Sequence, residues 1–328
     1  MPRMSFKALR AAALLAAGVL LASVPAGAQG AAKIPRVGVL SPFTGPDSLF
    51  FETLRHRLKD LGYVEGRNIA FVYRAAEDFD QLHAYAREMA RLNVEVMVTA
   101  GSQGVRAAKT ATSTIPIVIG NVGDAVGQGF VASLAKPGGN VTGLSSLNTE
   151  LSAKRLTLLK EAFPSISRVA VLREAVGEAD PLRATEAAAR TLGITLEVFQ
   201  VRDTDELASA FTAIAAAHAG ALHVLPGSMF VSQLRRVVEL AATVRIPAMY
   251  PDDRFVKAGG LMSYGSSVAD LYGRAADYVD RILKGAKPGN LPVEQPTTFS
   301  MAINLRTARE LGVTLPQPML LRADQILR

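Results

Sequence analysis

The stretch Ala100-Gly101-Ser102-Gln103-Gly104 places a hydroxyl and a carboxamide directly after a run of strand-forming residues, Val94 to Thr99, where a helix begins. Two kinds of chemistry suit that position. Backbone amides at a helix N-terminus, with Ser102 and Gln103 beside them, can receive a carboxylate. In the plainer alternative, Ser102 only caps its own helix. The same residues stand one residue away from G-x-S-x-G, the turn that exposes the nucleophile of α/β-hydrolases, and Asp203 and His218 follow in the chain order such triads use. Three features weigh against a serine hydrolase. His218 reads as the end of a helix, His223 lies inside a strand-like run, and no His-Gly-Gly loop precedes Ser102. The four histidines (His56, His83, His218 and His223) never stand at i, i+4 around an acid, and there is no cysteine, so no metal centre is expected. No G-x-G-x-x-G follows the first strand and no G-x-x-x-x-G-K-[ST] occurs, so no nucleotide or other cofactor is expected either.

The elements that must hold these residues alternate between two periods. Arg36 to Leu40 reads as a buried strand. Thr44-Gly45-Pro46 opens a helix with Phe50, Leu54, Leu58 and Leu61 on one face, ended by Gly62. Strand-like runs follow at Ile69 to Tyr73, Val94 to Thr99 and Ile115 to Ile119. A helix face of Phe79, Leu82, Ala86, Met89 and Ala90 lies between the first two of these runs. After the turn Lys136-Pro137-Gly138-Gly139-Asn140 comes a short strand, Val141 to Leu144, and the alternation restarts. The second set has strands at Arg168 to Leu172, Thr195 to Val201, Ala221 to Leu225 and Ile246 to Tyr250. Its helices are expected near Leu151 to Phe163, in an Ala-rich stretch, from Thr204, and from Phe230 to Val244. The tail departs from this rhythm. Leu261 to Gly265 is a short strand, Val268 to Leu283 a helix, Val293 to Phe299 an edge or connecting strand, and Asn304 caps a last short helix. Short strands joined by helical crossovers predict two α/β halves with parallel sheets.

The N-terminus sets the expected compartment. Arg3, Lys7 and Arg10 precede an uncharged apolar run, Ala11 to Ala22, and then Ala26-Gly27-Ala28. This pattern is a secretory signal peptide cleaved near Ala28, too short in its apolar part to be a membrane span. Those three cations belong to the leader, so the chain beyond it carries an excess of +4 rather than +7. The excess is scattered, with no basic run of the kind a nucleic-acid surface needs. Export without cysteine fits an oxidising compartment where no disulfide is required, and the periplasm is the expected location.

Several stretches resemble one family closely. They are Ser133-Leu134-Ala135-Lys136-Pro137-Gly138-Gly139-Asn140-Val141-Thr142-Gly143, then Gly259 to Gly265, Val293-Glu294-Gln295-Pro296-Thr297, Ile303-Asn304-Leu305 and Leu320-Leu321-Arg322-Ala323-Asp324. Together, and in this order, they resemble the substrate-binding proteins of ABC transporters, in the group similar to the tryptophan/tyrosine uptake binding protein. The resemblance implies a type I periplasmic-binding fold: two Rossmann-like lobes with parallel sheets, joined by three hinge strands, with a ligand held between them. The lobes would be residues 34–143 plus 265–292, and 144–264 plus 293–328. It implies no catalysis, a small-molecule ligand (an amino acid or an aromatic or carboxylate-bearing solute), ABC permease subunits as partners, and a monomer. A sensory module for a membrane receptor is the alternative use of such a cleft.

Ligands of open α/β sheets sit beyond the carboxyl ends of strands, which selects the candidate residues. In the first lobe these are Ser41, Pro42, Phe43 and Thr44, then Gly101, Ser102 and Gln103, then Gly123 and Asp124. In the second they are Ser145, Ser146, Arg173, Pro226, Gly227, Ser228, Tyr250, Asp252 and Tyr264. Asp124 either pairs with a ligand ammonium or is a turn residue bound to its own backbone. Related sequences have Pro after this Asp, where this chain has Ala125. Arg173 either clamps a carboxylate or faces water. Tyr264 either stacks on a ring or packs between lobes, and Phe43 and Tyr250 are further candidates for aromatic walls.

Overall fold

The computed structural model describes residues 33–42, 49–175 and 180–328. The expected leader, and the helix start at Thr44-Gly45-Pro46, lie outside the described residues.

A five-stranded parallel sheet runs β2-β1-β3-β4-β5, built from β1 (Arg36–Pro42), β2 (Ala70–Ala76), β3 (Val96–Ala100), β4 (Ile117–Val122) and β5 (Val141–Ser145). Every residue of β3, Val-Met-Val-Thr-Ala, is buried. Strand alternation sends Val96 and Val98 to one apolar layer and Met97 to the other, so both faces must be covered. Helix α1 (Leu49–Asp60) covers the first face through Phe50, Leu54 and Leu58. Helices α2 (Phe79–Arg91) and α3 (Gly101–Ala111) cover the second through Leu82, Met89 and Val105.

A seven-stranded sheet carries the second lobe in the order β12-β11-β10-β9-β8-β6-β7. Its strands are β6 (Arg168–Glu174), β7 (Thr195–Val201), β8 (Ala221–Val224), β9 (Ala248–Tyr250), β10 (Met262–Gly265), β11 (Ser300–Asn304) and β12 (Gln325–Leu327). All neighbours are parallel except β10 and β11. Helices α4 (Asn148–Ala162) and α5 (Asp180–Leu192) lie on one face, where Leu156, Leu159 and Ala189 meet Val169 and Met249. On the other face α6 (Glu206–Ala216) and α8 (Leu234–Val244) bring Phe211 and Val237 against Leu172 and Leu222. Among the described residues no helix is long and apolar enough to cross a membrane.

The chain passes between the sheets three times: after β5, after β10, and beyond Glu294. Between β9 and β10 lies the short α9 (Asp253–Lys257); after β10, helix α10 (Val268–Leu283), opened by the Ser267 hydroxyl accepting from the Asp270 amide, packs on the five-stranded sheet. The third passage corrects the strand expected at Val293 to Phe299. Pro292 and Pro296 cannot donate to a ladder, and only Glu294 bridges to Leu144 there. The true strand, β11, starts at Ser300 and pairs antiparallel with β10. The helix expected over 230–244 is also two pieces. Short α7 (Ser228–Ser232) is separated from α8 by Gln233, whose ψ of 23° leaves the helical region. Asn304 does cap α11 (Leu305–Leu311) through the Thr307 amide, but α12 (Gln317–Arg322) and β12 follow it.

The residues of the Asn140-Val141-Thr142-Gly143 motif each have a structural task. The Asn140 carboxamide donates to the Ile115 carbonyl at 2.8 Å, and the Thr142 hydroxyl to that of Leu291 at 2.7 Å. Gly143 adopts φ 127° where β4 and β5 approach most closely, so a Cβ would collide with the Ile119 backbone. In the second core His223 is fully buried, and neither ring nitrogen has a hydrogen-bond partner among the described residues. Burial, with the Arg155 charge adding to it, pushes its pKa down to about 3.

Two outcomes follow. Gly143→Ala should lower stability by roughly 2–4 kcal/mol, since it adds both a positive-φ penalty and a backbone clash; an unchanged urea midpoint would show that this approach is not constrained. For His223, the unfolded chain takes up the proton before the native state does. The native state therefore loses stability as pH falls from about 6.5 toward about 3. His223→Leu should remove part of that loss and raise stability at neutral pH by about 1–3 kcal/mol, because no donor or acceptor is then left unmet. Parallel pH profiles for variant and parent would contradict this account.

Candidate functional site

A cavity of about 560 Å³ opens where the carboxyl ends of both sheets face each other. Its first wall is made by Ser41 and Pro42 at the end of β1, by the first turns of α3, and by Asn121, Val122 and Gly123 at the end of β4. Its second wall comes from Ser146, Asn148 and Arg155, from Glu174 at the end of β6, from Pro226-Gly227-Ser228, and from Pro251, Asp252, Arg254 and Ser266. Tyr272 of α10 closes one side. The walls meet at Gly101, which has φ 71°; a Cβ there would lie 2.6 Å from the Ser228 Oγ across the cleft.

Helix α3 begins at Gly101 with Ala100 in the capping position, which supplies no side-chain acceptor. Ser102 is therefore already inside the helix, so the plainer alternative, that it caps α3, does not hold. The positive end of the helix dipole faces the cavity. On the opposite wall, the Glu174 carboxylate accepts from the Met229 amide at 2.6 Å and from the Phe230 amide at 3.4 Å, and so caps the short α7.

The buried charges form two arrangements. Asp252 and Arg254 make a forked pair, Nε to Oδ1 and Nη2 to Oδ2, both at 2.9 Å. Burial works against the Arg254 charge, but the Asp252 carboxylate overcomes it and holds the guanidinium's pKa above its ordinary value. The Tyr272 hydroxyl is raised by burial, with the Asp252 carboxylate adding to this and the Arg254 guanidinium opposing it. Arg155 is different. It is only 1% exposed, and it donates to the carbonyls of Tyr264 at 2.6 Å and Pro251 at 3.0 Å, and to Ser152 Oγ and Asn148 Oδ1. All these acceptors are neutral, and desolvation lowers its pKa to about 10.

Of the residues expected at the site, Ser41, Gly101, Ser102, Gln103, Gly227 and Ser228 line the cavity, as do Pro42, Gly123, Ser146, Pro226 and Asp252. Phe43 and Thr44 lie outside the described residues. Five others do not line it. Asp124 is the turn residue of the plainer reading, its Oδ1 accepting from the Val126 and Gly127 amides at 3.0 and 2.8 Å. The Ser145 hydroxyl is buried between the Ala125 amide and the Gly123 carbonyl. Arg173 turns back onto the Glu174 carbonyl, since alternation sends residue 174 inward instead. Tyr250 is buried and stacked on Phe255, with ring centroids 5.1 Å apart. Tyr264 packs toward Phe299 and contributes its carbonyl, not its ring, to Arg155.

The hydrolase triad is not brought together. The Asp203 carboxylate accepts the amides of Asp205 and Glu206, and His218 sits with φ 51° in the turn after α6; neither lines the cavity with Ser102. Among the described residues there is no cluster of His, Asp and Glu placed to hold a metal ion.

Sequence reasoning missed Arg155, Glu174, Arg254, Asn148 and Tyr272. The signal for Arg155 was present. It is a cation between Ser152, Leu156 and Leu159, on the face of α4 that is otherwise buried.

Comparison with known proteins places these features in a family. The model of the family described as "ABC transporter substrate binding protein" matches residues 36–327. The "Tyrosine-binding protein" of Clostridioides difficile (strain R20291) is 26% identical over 260 residues, covering 78% of this chain and 74% of that protein. An ABC domain from Streptococcus pneumonia solved in complex with L-Trp superposes with a TM-score of 0.82 at 26% identity, covering 89% of this chain and 99% of that one. A conserved domain protein from Vibrio cholerae O1 biovar El Tor str. N16961 gives a TM-score of 0.83 at 30% identity, with coverage of 90% and 100%. The two-lobed α/β architecture is that of the type I periplasmic-binding proteins. A cleft between two parallel sheets, the glycine-dependent strand contacts and a family match over residues 36–327 agree: this chain belongs to the ABC transporter substrate-binding protein family.

Proposed function

We propose that this chain captures a small carboxylate-bearing solute outside the cytoplasmic membrane, of the amino-acid or aromatic-acid class, and delivers it to the permease of an ABC uptake system. The observation that carries this reading is the 560 Å³ cavity formed jointly by the carboxyl ends of both sheets. A ligand there touches both lobes only when they are together, so binding favours the closed arrangement. The approach of Gly101 to Ser228 fits a closed state in which the two walls nearly meet. The lobes are taken as residues 34–143 plus 265–292, and 144–264 plus 293–328, with the three passages of chain between the sheets as the hinge. Closure presents one continuous surface to the permease, and a monomer suffices for this. The leader pattern at residues 1–28 supports export to the periplasm. The relatives with named ligands, tyrosine in one and L-Trp in the other, support the amino-acid or aromatic class.

Calorimetry and thermal shift against amino acids and aromatic acids should find one saturable site per chain and a raised melting temperature. A flat response across both classes would overturn the proposal. Gly101→Ala should weaken binding about tenfold, because the new methyl group meets Ser228 across the cleft and the positive φ is strained. Adding Ser228→Ala should recover part of the loss. A double variant as weak as Gly101→Ala alone would assign the whole effect to backbone strain.

A further inference from the structure

Among the described residues the cavity is lined by three cations, Arg106, Arg155 and Arg254, and by two anions, Glu174 and Asp252. Both carboxylates are already engaged within the protein. Asp252 is held by the fork of Arg254 and also accepts that residue's amide at 3.1 Å. Glu174 caps α7. The remaining cations have no such counterpart, since among the described residues neither Arg106 nor Arg155 has a carboxylate within ion-pairing distance. Arg106 donates to the Gln128 carboxamide at 3.3 Å and lies over the Phe130 ring. Arg155 is buried and gives its hydrogen bonds to neutral acceptors, while the Asp252 carboxylate favours its charge from beyond pairing distance and is itself held by Arg254.

A buried cation without an anion is costly, and an anionic ligand relieves that cost. An α-ammonium group has the opposite effect. It must be desolvated near the Arg155 guanidinium and the positive end of α3, with both carboxylates of the described lining already engaged. Leu49, Phe50, Val122, Val231, Leu234 and Val268 supply apolar surface to the same cavity.

Resting on the reading above, and sharpening it, we infer that the ligand is an organic acid with an apolar body and no α-ammonium group. The cleft thus selects the deaminated acid over the amino acid of the same skeleton.

Titration calorimetry on the dialysed mature chain with matched pairs tests this. Suitable pairs are L-tryptophan with indole-3-propionate, L-phenylalanine with 3-phenylpropionate, and L-leucine with 4-methylpentanoate. At least one acid should bind roughly tenfold or more tightly than its amino acid, and its methyl ester should lose at least about tenfold. Raising the salt concentration should weaken the acid more than the ester. Amino acids binding as tightly as, or more tightly than, their acids in every pair would overturn the inference and leave solute capture standing. Equal affinity for acid and ester would overturn the role of the carboxylate. Silence from every acid and every amino acid would overturn both readings.

Discussion

One guanidinium organises the carboxyl edge of the second sheet. Arg155 reaches out of α4 to the carbonyls of Tyr264 and Pro251, which end β10 and β9, and to the Asn148 side chain at the start of its own helix. Three separate pieces of chain are thereby registered on one planar group with a fixed fork of donors. Two of these pieces lead directly into the cavity wall, through Asp252 and Ser266. A lysine at this position would offer a point charge in place of the fork. Burial keeps the His223 imidazole neutral, and the Arg155 charge adds to that effect.

The cleft is a meeting of unlike walls. The first sheet presents backbone and small polar groups with the dipole of α3 behind them, beside apolar Leu49 and Phe50 and the exposed cation Arg106. The second presents charges that are mostly neutralised before any ligand arrives, by the Asp252–Arg254 fork and by Glu174 at α7. Tyr272 links the two walls, its ring packed on Phe50 at 4.7 Å between centroids and its hydroxyl beside Arg254.

The alternation of strand and helix was legible because the sheets are parallel but for the β10–β11 pair and are covered by helices on both faces, so short apolar runs alternate with periods of three to four. Thr195–Val201 and Val268–Leu283 were read with their observed limits. The reading failed where local pattern and tertiary demand part. Val293 to Phe299 alternates like a strand, yet Pro292 before it and Pro296 within it leave one bridge, and the three-residue β12 has no pattern of its own. At the site, strand ends located the cavity, but alternation decides which of two adjacent residues turns inward. That distinction separates Glu174 from Arg173 and Gly123 from Asp124. Arg155 escaped notice because its role depends on carbonyls about a hundred residues away.

The return of α10 to the first sheet has a consequence for biogenesis. Leu271, Tyr272, Ala275, Ala276 and Val279 complete an apolar layer begun by Val37 and Val39, more than two hundred residues earlier. During synthesis the N-terminal half emerges with that layer uncovered, and it cannot mature until most of the polypeptide exists. The first sheet is therefore not covered by a continuous stretch of sequence. A chain wired in this way closes the core of its first sheet only once α10 has been added to it.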